Sequence, residues 1–136
     1  MELNFIQRAL GAEGLLLEGA ESGTSITAVV DDSRRVEVGA LFCAVDGTAV
    51  DGHRFLGEVA ERGAAAALVT RRSDVPLPQI LVKDGRRAAG VAAREWFGNP
   101  ADRLTLIGVT GTNGKTTTVA IAWHLLNPNG TAGRIG

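Results

Sequence analysis

The sequence predicts an α/β fold, a small layered domain followed by the start of a second one. Short β-branched or aliphatic runs alternate with segments whose apolar residues recur at i,i+4. Asp, Gly and Pro fall where such elements should begin or end. Towards the C-terminal end, a Gly-Lys-Thr turn joins the most apolar strand pattern of the chain to a helix pattern.

The elements follow in order. Residues 1–23 combine Phe5-Ile6 and Ala9-Leu10 with Leu15-Leu16-Leu17, the pattern of a lead-in helix and a short extended piece. Ser25 to Asp31 is β-branched and reads as a strand that ends at the loop-forming Asp31-Asp32-Ser33. A second strand is predicted over Ala40 to Val45, stopped by Asp46-Gly47. Asp51 is a candidate N-cap for a helix in which Phe55 and Val59, and Leu56 and Ala60, pair at i,i+4 before Gly63.

Ala64 to Thr70 then reads as a buried strand, residues 71–78 as a loop with two prolines, and Gln79 to Val82 as another strand. Asp84 starts a helix whose apolar stripe is Ala89, Ala92 or Ala93, and Trp96 or Phe97, ended by Gly98-Asn99-Pro100. Arg87 stands where a capping box needs an acid. Leu104 to Val109 is predicted as a strand and Thr116 to Leu126 as a helix that breaks at Asn127-Pro128. This order puts a domain boundary near Asn99 to Arg103.

Composition narrows the class. The chain has 136 residues, 45% hydrophobic and 21% charged, which suits a packed core and not a disordered segment. Fourteen basic against fifteen acidic side chains give a formal charge of -1, so no bulk attraction to nucleic acid or an anionic membrane is expected. No apolar run reaches the length of a membrane span and no signal-peptide pattern opens the chain, so a cytoplasmic protein is expected. The single cysteine, Cys43, excludes an internal disulfide and, among apolar neighbours, reads as a small buried hydrophobe. His53 reads as a helix-start or solvated residue and His124 as a structural one; two isolated histidines do not make a metal site.

The chemistry concentrates at Thr110-Gly-Thr-Asn-Gly-Lys-Thr-Thr-Thr118. Gly111 and Gly114 let the backbone curl around an anion, the amides of Asn113 to Thr117 and the positive end of the following helix point toward it, and Thr112 completes the expected ATP-binding set. Lys115 would reach the β and γ phosphates of a nucleotide, Thr116 would offer its hydroxyl to Mg²⁺, and Thr117 would meet the α phosphate. The strict phosphate-loop spacing asks for glycine where Val109 stands, so this is a variant of the motif. Such a loop serves ligases, kinases, GTPase switches and motors alike. The 33 residues from Leu104 to Gly136 are too few for the parallel sheet that completes a nucleotide domain, so the chain is expected to be incomplete or completed by something else.

Four ordered segments carry a family resemblance: Asp32-Ser33-Arg34, the run Gly39 to Gly47, Asp51-Gly52-His53, and the loop from Thr110 to Thr118. With these the sequence resembles the Mur ligases of bacterial peptidoglycan synthesis, above all the MurE branch, over about residues 25–126. The resemblance implies an α/β substrate domain over residues 1–103, followed at 104–136 by the truncated start of a P-loop central ATPase domain. It implies ATP and Mg²⁺ as cofactors, with Lys115 catalytic. UDP-N-acetylmuramoyl-L-alanyl-D-glutamate and an amino acid, meso-diaminopimelate by family background, would be joined through an acyl phosphate. Asp31, through its backbone, and Ser33 would lie near the uridine nucleotide, and Thr48, Ala49 and Val50 would form the second contact segment. Arg34 is expected to brace Asp32. The fragment alone should not complete the reaction, and the whole enzyme is expected to be monomeric. Pro128 stands where the family's helix usually continues.

Overall fold

The computed structural model describes residues 1–21, 23–46 and 50–135. The chain divides into two compact units, Met1–Pro100 and Ala101–Gly136.

The first unit is a five-stranded sheet covered on both faces. Its strands are β1 (Leu16–Glu18), β2 (Ala28–Val30), β3 (Ala40–Cys43), β4 (Ala66–Val69) and β5 (Gln79–Val82), in the spatial order β1-β5-β4-β3-β2. β2 to β5 pair in parallel, with Val30 opposite Phe42, Cys43 opposite Leu68 and Val69 opposite Leu81, while β1 runs antiparallel to β5. β3 and β4 are central, and all eight of their residues are buried, because a central parallel strand has no solvent face.

Successive side chains still alternate between the two faces. Leu41, Cys43, Ala66, Leu68, Ile80 and Val82 pack under α1 (Leu3–Ala12) and α3 (Gly85–Trp96). Ala40, Phe42, Ala44, Ala67 and Val69 pack against Leu56 and Val59 of α2 (Leu56–Glu61). Fully burying one such large side chain contributes about 1.5–3 kcal/mol, which explains why four-residue strands suffice.

α1 buries Leu3, Ile6, Gln7 and Leu10, one helical stripe. The one polar member is satisfied: Gln7 Nε2 donates to the Ala20 carbonyl at 3.2 Å and its Oε1 accepts the Ala20 N–H at 2.9 Å. Asp84 caps α3 by accepting the Arg87 N–H at 3.0 Å, so the cap forms without a capping box. The buried stripe of α3 is Ala88, Val91 and Ala92, with Ala89 and Trp96 half-buried and Phe97 70% exposed; the pattern expected from Ala89 is therefore rotated by one residue. The helix ends where Gly98 (φ 70°) and Asn99 (φ 51°) turn left-handed and Asn99 N–H bonds the Arg94 carbonyl at 2.8 Å.

The expected strands are shorter than their sequence runs. Ser25 makes only an isolated antiparallel bridge to Glu2, and pairing begins at Ala28. The helix expected after Asp51 starts as a 3-10 turn over Gly52–Phe55 before α2.

In the second unit, a 3-10 turn over Pro100–Arg103 leads into residues 104–109, which pair with no strand among the described residues. Leu104, Leu106 and Ile107 are 63%, 72% and 64% exposed. This corrects the strand expected from Leu104 to Val109: apolar, β-branched residues favour the extended conformation, but a strand exists only through a ladder to a neighbour. α4 (Lys115–Leu126) forms as expected and stops before Pro128, yet it buries no residue. His124 is exposed on it, so it is no core residue. At its end Asn127 Oδ1 accepts the Ala132 N–H at 2.8 Å and Trp123 Nε1 donates to the Ala132 carbonyl at 2.9 Å, closing the turn that carries Pro128.

Because β2 to β5 are parallel, the segments that follow them leave from one edge of the sheet. Residues 31–35, 44–46, 50–55, 70–78 and 83–84 share that edge, where open α/β sheets bind ligands.

Candidate functional site

At the end of β2, Asp31 is exposed and the next residues form a self-braced turn. Asp32 Oδ1 accepts the backbone N–H of Arg34 at 3.0 Å, and the Arg34 guanidinium grips both carboxylate oxygens, Nε to Oδ1 at 2.9 Å and Nη2 to Oδ2 at 2.7 Å. The Arg34 side-chain bonds and its backbone N–H hold the Asp32 carboxyl at about 2. Arg34 is committed to bracing Asp32. Ser33 is buried, its carbonyl accepts the Val36 N–H at 3.3 Å, and its hydroxyl has no hydrogen-bond partner among the described residues. On the adjacent strand, burial, with a smaller contribution from the Asp31 charge, pushes the Cys43 thiol up to about 12.

The segment after β3 holds the second expected group. Thr48 and Ala49 lie outside the described residues; Val50 is exposed. Both flanks of the segment are fixed. Gly52 N–H donates to the Val45 carbonyl at 3.0 Å, and Asp46 and Asp51 form an antiparallel bridge. Asp51 Oδ1 accepts the His53 N–H at 2.9 Å, capping the 3-10 turn as the N-cap expectation required.

Of the two readings expected for His53, helix-start and solvated, the first holds and the second does not. It starts the helical turn, but its ring is only 3% exposed, because both nitrogens are engaged in the fold. Nε2 accepts the Thr70 N–H at 3.1 Å, so it carries no proton, and Nδ1–H donates to Asp51 Oδ1 at 2.8 Å. With Nε2 taken, the Thr70 hydroxyl donates to Asp46 Oδ2 at 3.3 Å. Arg71 spans both acids, contacting Asp46 Oδ1 at 3.4 Å and forming an ion pair with Asp51 Oδ2. Arg86 Nη2 adds a bond to the Asp46 carbonyl at 3.1 Å. The His53 backbone and ring bonds, with Arg71, hold the Asp51 carboxyl well below the usual carboxylate range.

Ligand atoms of Asp46, Asp51 and His53 lie within 4.8 Å of one another, a cluster that could suit a cation. The donor chemistry speaks against one: each histidine nitrogen already has a partner, and a guanidinium sits on both carboxylates. The cluster is an ion-pair lock. Asp46, Thr70, Arg71 and Arg86 escaped the sequence reading, since their connection comes from strand order and not from local spacing.

The loop before α4 stands in the second unit. Gly111 (φ 146°) and Gly114 (φ 76°) adopt backbone angles that favour glycine, as the turn requires. The first helical bond runs from Thr118 N–H to the Gly114 carbonyl at 2.8 Å, leaving the N–H groups of Lys115, Thr116 and Thr117 at the open helix end. Lys115 Nζ folds over the loop to the carbonyls of Gly111 (2.5 Å) and Thr112 (3.4 Å). Residues 111–118, Asn113 included, are exposed. Helix-end amides, two permissive glycines and an ammonium form a donor set that fits a phosphate chain.

Comparison with known proteins covers both units. The model of the Mur ligase family, catalytic domain, matches residues 25–97, which lie within the sheet unit and make up more than half of the chain. The chain is 38% identical over 131 residues to the UDP-N-acetylmuramoyl-L-alanyl-D-glutamate--2,6-diaminopimelate ligase of Listeria monocytogenes, covering 96% of this chain and 26% of that protein. It is 43% identical over 140 residues to the same-named ligase of Chlorobaculum tepidum, covering 99% and 27%. Among solved structures it is similar to MurF from Acinetobacter baumannii, with a TM-score of 0.68 at 29% identity over 93% of this chain and 27% of that one. It is also similar to the Thermotoga maritima MurF ligase in complex with ADP, with a TM-score of 0.57 at 35% identity over 78% and 24%. The chain thus spans about a quarter of the length of these proteins. Since the family match coincides with the parallel sheet and the relatives extend it through the Gly-Lys-Thr loop, the chain belongs to the Mur ligase family.

Proposed function

We propose that this chain is the front portion of a MurE-type ATP-dependent ligase that adds an amino acid, meso-diaminopimelate, to UDP-N-acetylmuramoyl-L-alanyl-D-glutamate in peptidoglycan synthesis. The observation that carries the reading is the span of the likeness to the diaminopimelate ligases: it runs through the sheet edge and the glycine loop together, over 96–99% of the chain. In this reading residues 1–103 bind the UDP end of the substrate, and residues 104–136 begin the ATP-binding domain of a cytoplasmic, monomeric enzyme.

The expected residues take the following roles in this reading. Ser33, buried at the C-terminal edge of the parallel sheet with its hydroxyl unclaimed, donates to the uracil or ribose, while Asp31 contributes backbone. Thr48, Ala49 and Val50 supply the second contact segment. In the loop, Gly111 to Thr117 cradle the phosphates with backbone amides, Thr116 holds Mg²⁺, and the Lys115 ammonium meets the charge that develops during phosphoryl transfer. Bound Mg-ATP would supply the phosphoryl group that turns the D-glutamate carboxylate into an acyl phosphate, which the incoming amine can displace. Lys115 and Thr116 are part of that machinery only, so the fragment by itself is inactive in ligation.

Calorimetric titration of the 136-residue chain with UDP-N-acetylmuramoyl-L-alanyl-D-glutamate, with UDP as comparison, tests the substrate assignment. Saturable binding of both supports it; a folded chain that binds neither overturns it. Binding without Mg-ATP turnover after completion with the rest of the enzyme would favour a nucleotide-sugar-binding module instead.

A further inference from the structure

An asparagine side-chain amide is open to attack by the main-chain nitrogen of the next residue, provided that nitrogen carries a proton, is not hydrogen-bonded and has no bulky side chain beside it. The chain has five asparagines, at positions 4, 99, 113, 127 and 129. Asn99 and Asn127 precede prolines, which have no N–H. Asn4 precedes Phe5, whose N–H donates to the Glu2 carbonyl at 3.1 Å. The two that remain are Asn113-Gly114 and Asn129-Gly130, both in exposed segments of the second unit. They differ at the attacking nitrogen. Gly130 N–H donates to the Asn127 carbonyl at 3.3 Å, whereas Gly114 N–H, and the Asn113 side chain with it, has no hydrogen-bond partner among the described residues. Gly114 also has open space where a Cβ would stand, so nothing blocks the approach.

We propose that Asn113-Gly114 is a modification site at which the phosphate loop disables itself by deamidation, and that bound nucleotide protects it. The Gly114 nitrogen attacks Asn113 Cγ; the new N–Cγ bond forms, the Cγ–Nδ2 bond breaks, and ammonia leaves with the proton that the Gly114 nitrogen gives up. The product is a five-membered cyclic imide. Water opens it at either carbonyl, giving aspartate or isoaspartate at position 113, the latter with one more methylene in the main chain. Either product works against an anion site. A carboxylate now stands in the loop that holds the Lys115 ammonium and the open N–H groups of Lys115, Thr116 and Thr117, so it competes for the donors that fit a phosphate chain and repels an incoming anion. Isoaspartate also lengthens the chain just before Gly114, whose φ of 76° opens α4. A bound phosphate would occupy the Gly114 N–H and so remove the attacking nitrogen. The effect on nucleotide rests on the ATP-loop reading proposed above, while the deamidation itself does not.

Incubation of the 136-residue chain in mildly alkaline buffer, with peptide mass spectrometry at intervals, reads the chemistry. Asn113 should convert to a mixture of aspartate and isoaspartate at a rate about threefold or more above that of Asn129, since an engaged N–H must first release its bond. In the full-length enzyme aged without nucleotide, Mg-ATP binding should fall in step with conversion at position 113, the converted molecules having a Kd raised at least about tenfold. Ageing with saturating Mg-ATP should slow conversion at 113 and leave that at 129 unchanged. Asn113→Gln, whose longer side chain must close a larger and slower-forming ring, should keep over the same period whatever ATP affinity it starts with. Asn113 intact while Asn129 converts, full ATP affinity in converted molecules, or loss of affinity in Asn113→Gln at the parent's rate overturns the inference and leaves the ATP-loop reading standing. Fresh full-length enzyme that binds no Mg-ATP overturns that reading, and the protective role of nucleotide with it.

Discussion

Gly52 and Val45 approach so closely that no side chain fits between them: a Cβ built on Gly52 lies 2.9 Å from the Val45 N and from its O. Both contacts are to backbone, which has no rotamer to yield. Gly52→Ala should therefore destabilise the first unit by about 1–3 kcal/mol through overpacking. Urea denaturation followed by circular dichroism checks it, as a fall in midpoint at unchanged slope. An unchanged midpoint would mean that this close approach relaxes freely.

The turn at Asp32 carries a pH signature. Its carboxyl sits at about 2, against an ordinary 3.8, because the Arg34 side chain and N–H both donate to it. A depressed folded value means a stabilising contribution that is present above the unfolded value and is lost as pH falls through the folded one, so the window is from about pH 4 down to about pH 2. Carboxyl ¹³C titration should place the Asp32 midpoint at the bottom of that window. In Arg34→Ala it should move up, though not fully, since the backbone N–H bond remains. A midpoint near 3.8 in the parent chain would show that the turn is unbraced in solution.

How much of this was legible in the sequence depends on whether local residues or distant ones decide. β3 was readable because Ala40 to Ala44 is apolar throughout and a central parallel strand needs nothing else. Asp84 and Asp51 were readable as caps, since a cap is a matter of two or three residues. Leu104 to Val109 has the same apolar character as β3, yet it forms no ladder, for pairing depends on a neighbour that a strand pattern does not specify. His53 is the same lesson at the site. Its partner Thr70 lies seventeen residues on, and only the placement of β4 beside β3 brings the two together. The local sequence Asp51-Gly52-His53 shows the cap but not the close approach of Gly52 to Val45, which only the fold reveals.

Cys43 should be chemically silent. It is buried in the centre of the sheet, between the β2 and β4 strands, and burial raises its thiol to about 12, so almost no thiolate exists at neutral pH. Iodoacetamide at pH 8 should fail to modify the native chain within hours and modify it within minutes in 6 M guanidinium, rates roughly set by thiolate fraction and exposure. Mass spectrometry reads the adduct. Rapid labelling of the native chain would mean that β3 opens to solvent far more often than its burial implies.

Lys115 tests the phosphate loop most directly. Its ammonium donates to the Gly111 and Thr112 carbonyls, and so lies over the loop that opens α4. A positive charge at that spot is worth most where negative charge gathers during phosphoryl transfer, and comparable single-group deletions cost about 10²–10³ in turnover. In the full-length enzyme, Lys115→Ala should lose at least that factor in ligation while UDP binding by the sheet unit stays unchanged, because the Lys115 ammonium bonds the Gly111 and Thr112 carbonyls of its own loop. Arginine is a poor substitute, since its planar fork needs more room than the compact ammonium it replaces, so Lys115→Arg should remain impaired as well. Full turnover in Lys115→Ala would remove the residue from the mechanism and leave the loop as a turn between two apolar segments.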